Sequence, residues 1–287
     1  MSRRDRLTQK VLGMATVFAA AIPLSILLFM VLLARPLFTG FSTADLFTGG
    51  WDPIHGSYGI FPMLTASLLL AFTSLAVAFP VSLGCAGLIF GLAPPMVAKP
   101  LRRLVQLMTG FPTVVYGFVG VFVFVPAVRD LFEVGSGRCL LSALIPLSLM
   151  ITPTMTLFFS DAFAAVPRQT LFAAAACGAD RVQSFCWVVI PCAKKGLAAG
   201  TVLSFGRALG DTLISLMLAG NAAQVPSSLL ASARTLTAHI ALVIAADFHS
   251  LEFVSIFLCG VVLYVFTTGA ALCAWKIRLG MERDAPS

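Results

Sequence analysis

The sequence predicts an all-α membrane protein, a bundle of six spanning helices, and three observations carry that expectation. Hydrophobic residues make up 59% of the 287-residue chain and charged residues only 11%, with a mean hydropathy of +0.98. A soluble domain sits near half apolar and a quarter charged. The apolar residues are gathered into runs long enough to cross a bilayer, which takes about 20 residues. The lysines and arginines between those runs fall mostly on one side.

The first run, Val11 to Ala34, carries no charge. It is too long and too uniformly apolar for a signal peptide and lacks a small-residue cleavage site, so it is expected to stay as an anchor. Met63 to Leu92, with Pro80 inside it, is the second span. Leu104 to Val128 and Leu140 to Ser160 follow, then Gly196 to Ala222, and Phe253 to Trp275 is the sixth. Prolines at 23, 80, 112, 126, 146 and 153 lie in or beside spans. Neighbouring helices can satisfy the carbonyls they free, and kinked spans are common where a bundle encloses a path.

With a cytoplasmic N-terminus, six spans return the C-terminus to the cytoplasm. The inside segments then hold Arg3, Arg4, Arg6, Lys10, Lys99, Arg102, Arg103, Arg168, Arg181, Lys194, Lys195, Lys276, Arg278 and Arg283. Outside are Arg35, Arg129, Arg138 and Arg234, and Arg207 alone is within a span. Fourteen against four predicts this orientation in an inner membrane. It makes the net charge of +7 a topology signal. Basic residues scattered over short loops also argue against nucleic acid as a partner.

The seven cysteines match no zinc spacing and are read as small buried hydrophobes. His55, His239 and His249 are dispersed in outer loops and give no metal pattern. There is no G-x-x-x-x-G-K-[ST] and no converging nucleophile and base, so the chain is not expected to be an enzyme.

Between spans, "GGWDPIHGSYG" is a turn-rich outer segment with an interfacial tryptophan, and "APPMVAKPLRR", Ala93 to Arg103, is a short basic loop. Asp161 to Lys195 is predicted to form two short helices. One has Pro167 in its first turn and is capped by Gly178; the second starts from Asp180 and ends at Pro191. Phe172, Phe185 and Trp187 would give this knuckle an apolar surface for a cytoplasmic partner. Ala223 to Ser250 is read as an outer helical hairpin or amphipathic segment. The divisions expected are a tail at 1–10, a first span and outer loop at 11–62, a transmembrane domain at 63–275 with a coupling loop at 161–195, and a tail at 276–287.

Within the fifth run, Arg207 and Asp211 stand four residues apart, a spacing that puts them on one helix face as a pair. An intramembrane charge costs about 2.5–3.5 kcal/mol on insertion scales and usually faces a cavity or a partner. Gly206 and Gly210, like Gly196 and Gly200, have the small-xxx-small spacing that lets helices approach closely. Thr113, Tyr116, Thr152 and Thr154 either line a path or cap carbonyls freed by prolines.

The loop "VPRQTLFAAAACGADRVQSFCWVVIPCAKKG" resembles the EAA loop of ABC importer permeases. Ala173, Ala174, Gly178, Val188, Ile190 and Pro191 fall on that pattern in register, while Phe172 replaces its glutamate. "GRALGDT" and "LMLAGN" resemble the signature of phosphate-specific permeases, with Asp211 in place of the usual glutamate, and "RTLTAHIAL" resembles a further stretch. "WDPIHGSYG" and "FPTVVYGFVGVFVFVP" fit the PstC-type subunit better than the PstA-type. The resemblance covers roughly residues 45 to 275.

It implies a bundle of the type I ABC importer permease kind, forming half of a translocation path. It implies a second permease subunit as partner, a dimer of ATPase subunits, and a periplasmic phosphate-binding protein. ATP and magnesium would be bound by the ATPase subunit, with no cofactor in this chain. The coupling residues implied are Phe172, Ala173, Ala174, Gly178, Ala179, Val188 and Pro191. The path residues implied are Arg207, Asp211, Thr212, Thr113 and Tyr116. A guanidinium fork matches phosphate oxygens. A carboxylate beside it can accept a hydrogen bond from a protonated phosphate, which sulfate cannot donate at neutral pH. The pair could equally serve only to fix helix register. Permeases for sulfate or molybdate, a stand-alone secondary transporter and a non-transporting scaffold remain open alternatives.

Overall fold

The computed structural model describes residues 3–133 and 135–283. The extreme ends of the two expected tails, and the side chains of Arg3, Arg4, Arg6, Arg278 and Arg283, lie outside the described residues. In chain order the elements are α1 (Arg3–Gly40), α2 (Thr43–Thr48), β1 (Trp51–Asp52), β2 (Ser57–Tyr58), α3 (Phe61–Gly87), α4 (Pro95–Thr109), α5 (Thr113–Phe132) and α6 (Leu140–Ala164). Then come α7 (Arg168–Ala176), α8 (Arg181–Ser184), α9 (Ile190–Leu209), α10 (Leu213–Leu218), α11 (Leu236–Val243) and α12 (Leu251–Arg283). Among the described residues, six helical stretches are long and apolar enough to span: Gln9–Gly40, Phe61–Leu92, Thr113–Phe132, Leu140–Ala164, Arg181–Leu209 and Leu251–Ile277.

The centre of the bundle is α6, whose apolar window is 67% buried against 6% for that of α1. Lipid tails are as apolar as leucine, so small residues and hydroxyls have to bring these helices together. Ser74 on α3 donates to the Leu144 carbonyl at 3.5 Å, Ser148 on α6 donates to the Ser74 carbonyl at 3.2 Å, and Ser82 donates to the Thr152 carbonyl at 3.1 Å. Gly200 lets α9 lie on the same helix, since a Cβ there would stand 2.8 Å from the Phe158 Cβ. The long first helix packs chiefly on α12, where Phe29 meets Phe257 edge-on. Its last turns, Ala34 and Leu37, join Leu46, Ile60, Met63 and Leu258 in a second apolar cluster, on the side that the sequence predicts to be outer.

Two span boundaries differ from expectation. The third span starts at Thr113, because Gly110 and the Phe111–Pro112 step end the preceding helix; proline has no N–H and pushes the residue before it out of the helical region. Residues 104–109 belong instead to α4, so the short basic loop is a 15-residue helix. The fifth span starts at Arg181 and stops at Leu209 rather than running from Gly196 to Ala222. Pro191 does not end a helix there. It opens α9 inside a continuous helical stretch, where the π-helical residues Phe185–Val189 that join α8 to α9 accommodate its missing N–H.

The outer segment also departs from a helical hairpin: residues 220–235 are largely irregular and only α11 is helical. Serines and an internal proline favour turns there over a helix. The cysteines divide. Cys139 and Cys259 are buried and Cys85 is half-buried, but Cys177, Cys186, Cys192 and Cys273 are exposed.

One half-span is wedged into the bundle in a way the sequence did not announce. Gly117 and Gly120 give α5 a groove for α10: a Cβ at Gly120 would lie 2.5 Å from Leu218 Cδ2, and one at Gly117 would lie 3.0 Å from Met217 Sδ. Gly120→Val is expected to push α10 away and cost about 1–3 kcal/mol, as overpacking does. A fall in the melting temperature of the purified protein, absent for Gly13→Val on the open face of α1, checks it.

Candidate functional site

The fifth run breaks where its two charges lie. Helix α9 ends at Leu209, Gly210 caps it, and α10 begins at Leu213. Arg207 and Asp211 are therefore not on one helix face, and they form no ion pair among the described residues. A four-residue spacing aligns two side chains only while the helix continues, and here Gly210 ends it. The Arg207 charge still acts on Asp211 at longer range.

Each charge has its own neutral partners. The Arg207 guanidinium donates to the Thr154 hydroxyl, and its Nε lies 3.1 Å from Met150 Sδ. Met150 and Thr154 sit one turn apart near the midpoint of α6, which puts Arg207 near mid-depth of the bundle. Asp211, only 8% exposed, accepts a hydrogen bond from the Ile214 N–H at 2.9 Å and so caps α10. Its own carbonyl accepts from Thr237 Oγ1 at 2.8 Å and from Ser215 Oγ at 3.1 Å. Thr235 Oγ1 donates to Ser215 Oγ at 3.0 Å, so three hydroxyls tie the outer segment to the break.

The remaining expected path residues are placed unequally. Tyr116 lies within electrostatic reach of Arg207. Its hydroxyl donates at 3.2 Å to the Met108 carbonyl, to which Pro112 has no N–H to give. Thr113 lies one turn before Gly117 on the same face of α5, and Thr212 is half-buried within the break. Thr152 donates to Ser148 of its own helix at 2.7 Å and takes no part in the site. The sequence reading did not single out Met150, Ser215, Thr235 or Thr237; for Ser215 the available signal was hydroxyls three residues apart on both sides of "GD", Thr201 and Ser204 before it and Thr212 and Ser215 after it.

Gly206 faces α12, where a Cβ would lie 3.8 Å from the Ala270 Cβ, and Gly210 follows the last residue of α9. The "AGN" triplet makes a corner. Gly220 is at φ +91° with the Ser232 hydroxyl and the Arg138 carbonyl where a side chain would begin. Asn221, at φ 66°, donates from its amide side chain to the Leu216 carbonyl at 2.8 Å, and Arg234 Nε donates to the Asn221 carbonyl at 2.9 Å. Beyond it His239 is buried against Trp51, with ring centres 4.4 Å apart, and Nε2 meets Ser255 Oγ at 3.0 Å. Trp51 thus packs into the outer cluster rather than standing alone at an interface. Burial, with the Arg234 charge near, pushes His239 down to about 3 and keeps it neutral.

A second feature lies at the other end. Asp180 and Gln183 form a reciprocal capping box at the start of α8, and Gly178, at φ +83°, turns the chain between α7 and α8. Cys177, Gly178, Ala179, Gln183, Trp187 and Val188 line an open groove of about 370 Å³. Phe172 is 71% exposed and Trp187 80%; Ala173 is exposed, Ala174 is half-buried, and Pro191 is exposed at the start of α9. Phe185 is not part of this surface. The π-helical stretch turns it inward, where it packs 5.1 Å from the Phe163 ring centre.

Comparison with known proteins gives one family and a consistent set of relatives. The family model described as "binding-protein-dependent transport system inner membrane component" matches residues 83–271. The chain is 35% identical over 253 residues to the probable ABC transporter permease protein YqgH of Bacillus subtilis, covering 84% of this chain and 81% of that one. It is 28% identical to the phosphate transport system permease protein PstC of Pasteurella multocida, covering 80% and 78%. Among solved structures it resembles a chain of the inward-facing MetNI methionine ABC transporter, with a TM-score of 0.59 and 15% identity over 79% of this chain and 99% of that one. It also resembles a chain of a bacterial ABC transporter that imports alginate, with a TM-score of 0.55 and 16% identity over 98% and 100%.

Proposed function

Because this chain belongs to the family of binding-protein-dependent transport system inner membrane components, we propose that it is the PstC-type transmembrane subunit of an ATP-driven importer of inorganic phosphate. It is a multi-pass membrane protein with the fold of the type I ABC importer permeases. In this reading it forms half of the path with a second, PstA-type permease, both termini are cytoplasmic, and the membrane is a bacterial inner membrane. A periplasmic phosphate-binding protein delivers the ion from outside. ATP and magnesium are held by a pair of PstB-type ATPase subunits, which dock on the 161–195 loop through Phe172, Ala173, Ala174, Gly178, Ala179, Val188 and Pro191. The chain itself carries transport and no catalysis.

The observation that carries the reading is the state of Arg207. A positive charge is held at the middle of the bundle by a hydroxyl and a thioether, neither of which neutralises it. Intramembrane charges of this kind face a water-filled cavity or a partner and mark the path of an ion or substrate. The broken helix next to it leaves Asp211 and Thr212 on unwound backbone, as in other transporters where discontinuous helices form ion sites. Tyr116 and Thr113 flank this break on α5.

Uptake of radiolabelled phosphate by cells carrying the assembled complex is the direct test. The expected result is uptake that ends on ATP depletion and withstands excess sulfate. Sensitivity to a protonophore with ATP held constant would instead make the chain a secondary transporter, and competition by sulfate would make it a general oxyanion permease.

A further inference from the structure

Helix α4 connects the second and third spans, and its flanks have three different surroundings. At 3.6 residues per turn, Ala98, Leu101, Val105 and Met108 fall on one flank. Val105 is 4% exposed and the other three are half-buried, facing α6. The next flank holds Met96, Val97, Leu104 and Leu107, all exposed, Met96 to 87% and Leu107 to 67%. The last carries Lys99, Arg102 and Arg103, also exposed. No Asp or Glu occurs between Asp52 and Asp130, and none of the three cations has an ion pair among the described residues.

Both ends of this helix are tethered at membrane depth. A spanning stretch closes at Leu92, just before α4, and another opens at Thr113, just after it. A helix held in that way runs along the bilayer surface, so its exposed apolar flank faces acyl chains and its basic flank the headgroups. We propose that α4 is a binding site for anionic phospholipid. Met96, Leu104 and Leu107 enter the acyl boundary while Lys99, Arg102 and Arg103 hold headgroup phosphates. Basic amphipathic helices bind membranes by this combination of buried apolar area and attraction to anionic lipid. A soluble protein partner would have to reach the apolar flank through the lipid that surrounds the adjoining spans. The proposal depends on the chain spanning a membrane and is independent of which ion it carries.

The purified complex is reconstituted in phosphatidylcholine nanodiscs and titrated with fluorescent phosphatidylglycerol. Each cation near an anionic surface contributes about a fivefold effect, so Lys99→Gln/Arg102→Gln/Arg103→Gln is expected to weaken phosphatidylglycerol binding by about 100-fold. Lys99→Arg/Arg102→Lys/Arg103→Lys should restore most of it, and inorganic phosphate at millimolar concentration should not displace the lipid. An unchanged melting temperature establishes that the neutralised variant is folded. Unaltered lipid binding in that variant overturns the proposal, as does full displacement by inorganic phosphate. So does a variant that keeps its lipid and loses its copurifying ATPase subunits, which would make α4 a protein-docking surface.

Discussion

Arg207→Ala is expected to reduce phosphate uptake to between about a tenth and a hundredth of wild type while the complex still assembles. A hydrogen bond to a charged group is worth about 1.5–3 kcal/mol, and each 1.4 kcal/mol is a factor of ten. Nothing in the fold depends on the guanidinium: its partners are the Thr154 hydroxyl, which has a helix of its own to bond to, and the Met150 thioether. Removing an unneutralised charge from the bundle should leave stability unchanged or raise it. Initial rates of phosphate uptake, normalised to complex abundance by immunoblot, measure the effect. Arg207→Lys retains the charge without the planar fork and should fall between the two. Wild-type uptake by Arg207→Ala would remove this residue from the path.

Asp211 should separate into two roles when two substitutions are compared. Asp211→Ala removes the cap of α10 and leaves the Ile214 N–H without its acceptor in a buried place. A lost cap costs about 0.5–2 kcal/mol and a buried unsatisfied donor about 1–3 kcal/mol, two measures of the same missing bond. Asp211→Asn keeps an oxygen for the Ile214 N–H and gives up the negative charge. The alanine variant is therefore expected to lose both thermal stability and uptake. The asparagine variant should melt like wild type and still lose most of its uptake, because the carboxylate that receives a proton donor from phosphate is gone. Full uptake in the asparagine variant would reduce Asp211 to a helix cap.

Much of the architecture could be read directly from the chain. Six apolar runs gave six spans because any backbone crossing lipid must satisfy its own hydrogen bonds, and a long apolar segment has the helix as its only isolated solution. Gly178 and Asp180 gave the turn and cap of the coupling loop for similarly local reasons. Boundaries were less legible where the signal depended on neighbours. Pro191 reads as a stop in isolation, yet it became the first turn of a long helix once the π-helical stretch buried Phe185 against Phe163. The short basic loop became α4 because its apolar flank had α6 to pack on.

The candidate site divides along the same line. The sequence by itself determined that an arginine and an aspartate stand within an apolar run, that glycine precedes the aspartate, and that hydroxyls surround them. Composition and spacing suffice for that, because an intramembrane charge is conspicuous whatever its partners. Only the tertiary structure decided that the two charges do not pair. Helix α9 ends between them, α10 lodges in the glycine groove of α5, and the Asp211 carbonyl is held by Ser215 of α10 and by Thr237 of the outer segment. Whether a helix continues through a glycine depends on what waits to bond its freed groups. Here the Asp211 side chain and Ser215 are local partners, but Thr237 comes from α11, far away in the chain, so local rules could reveal only part of the break.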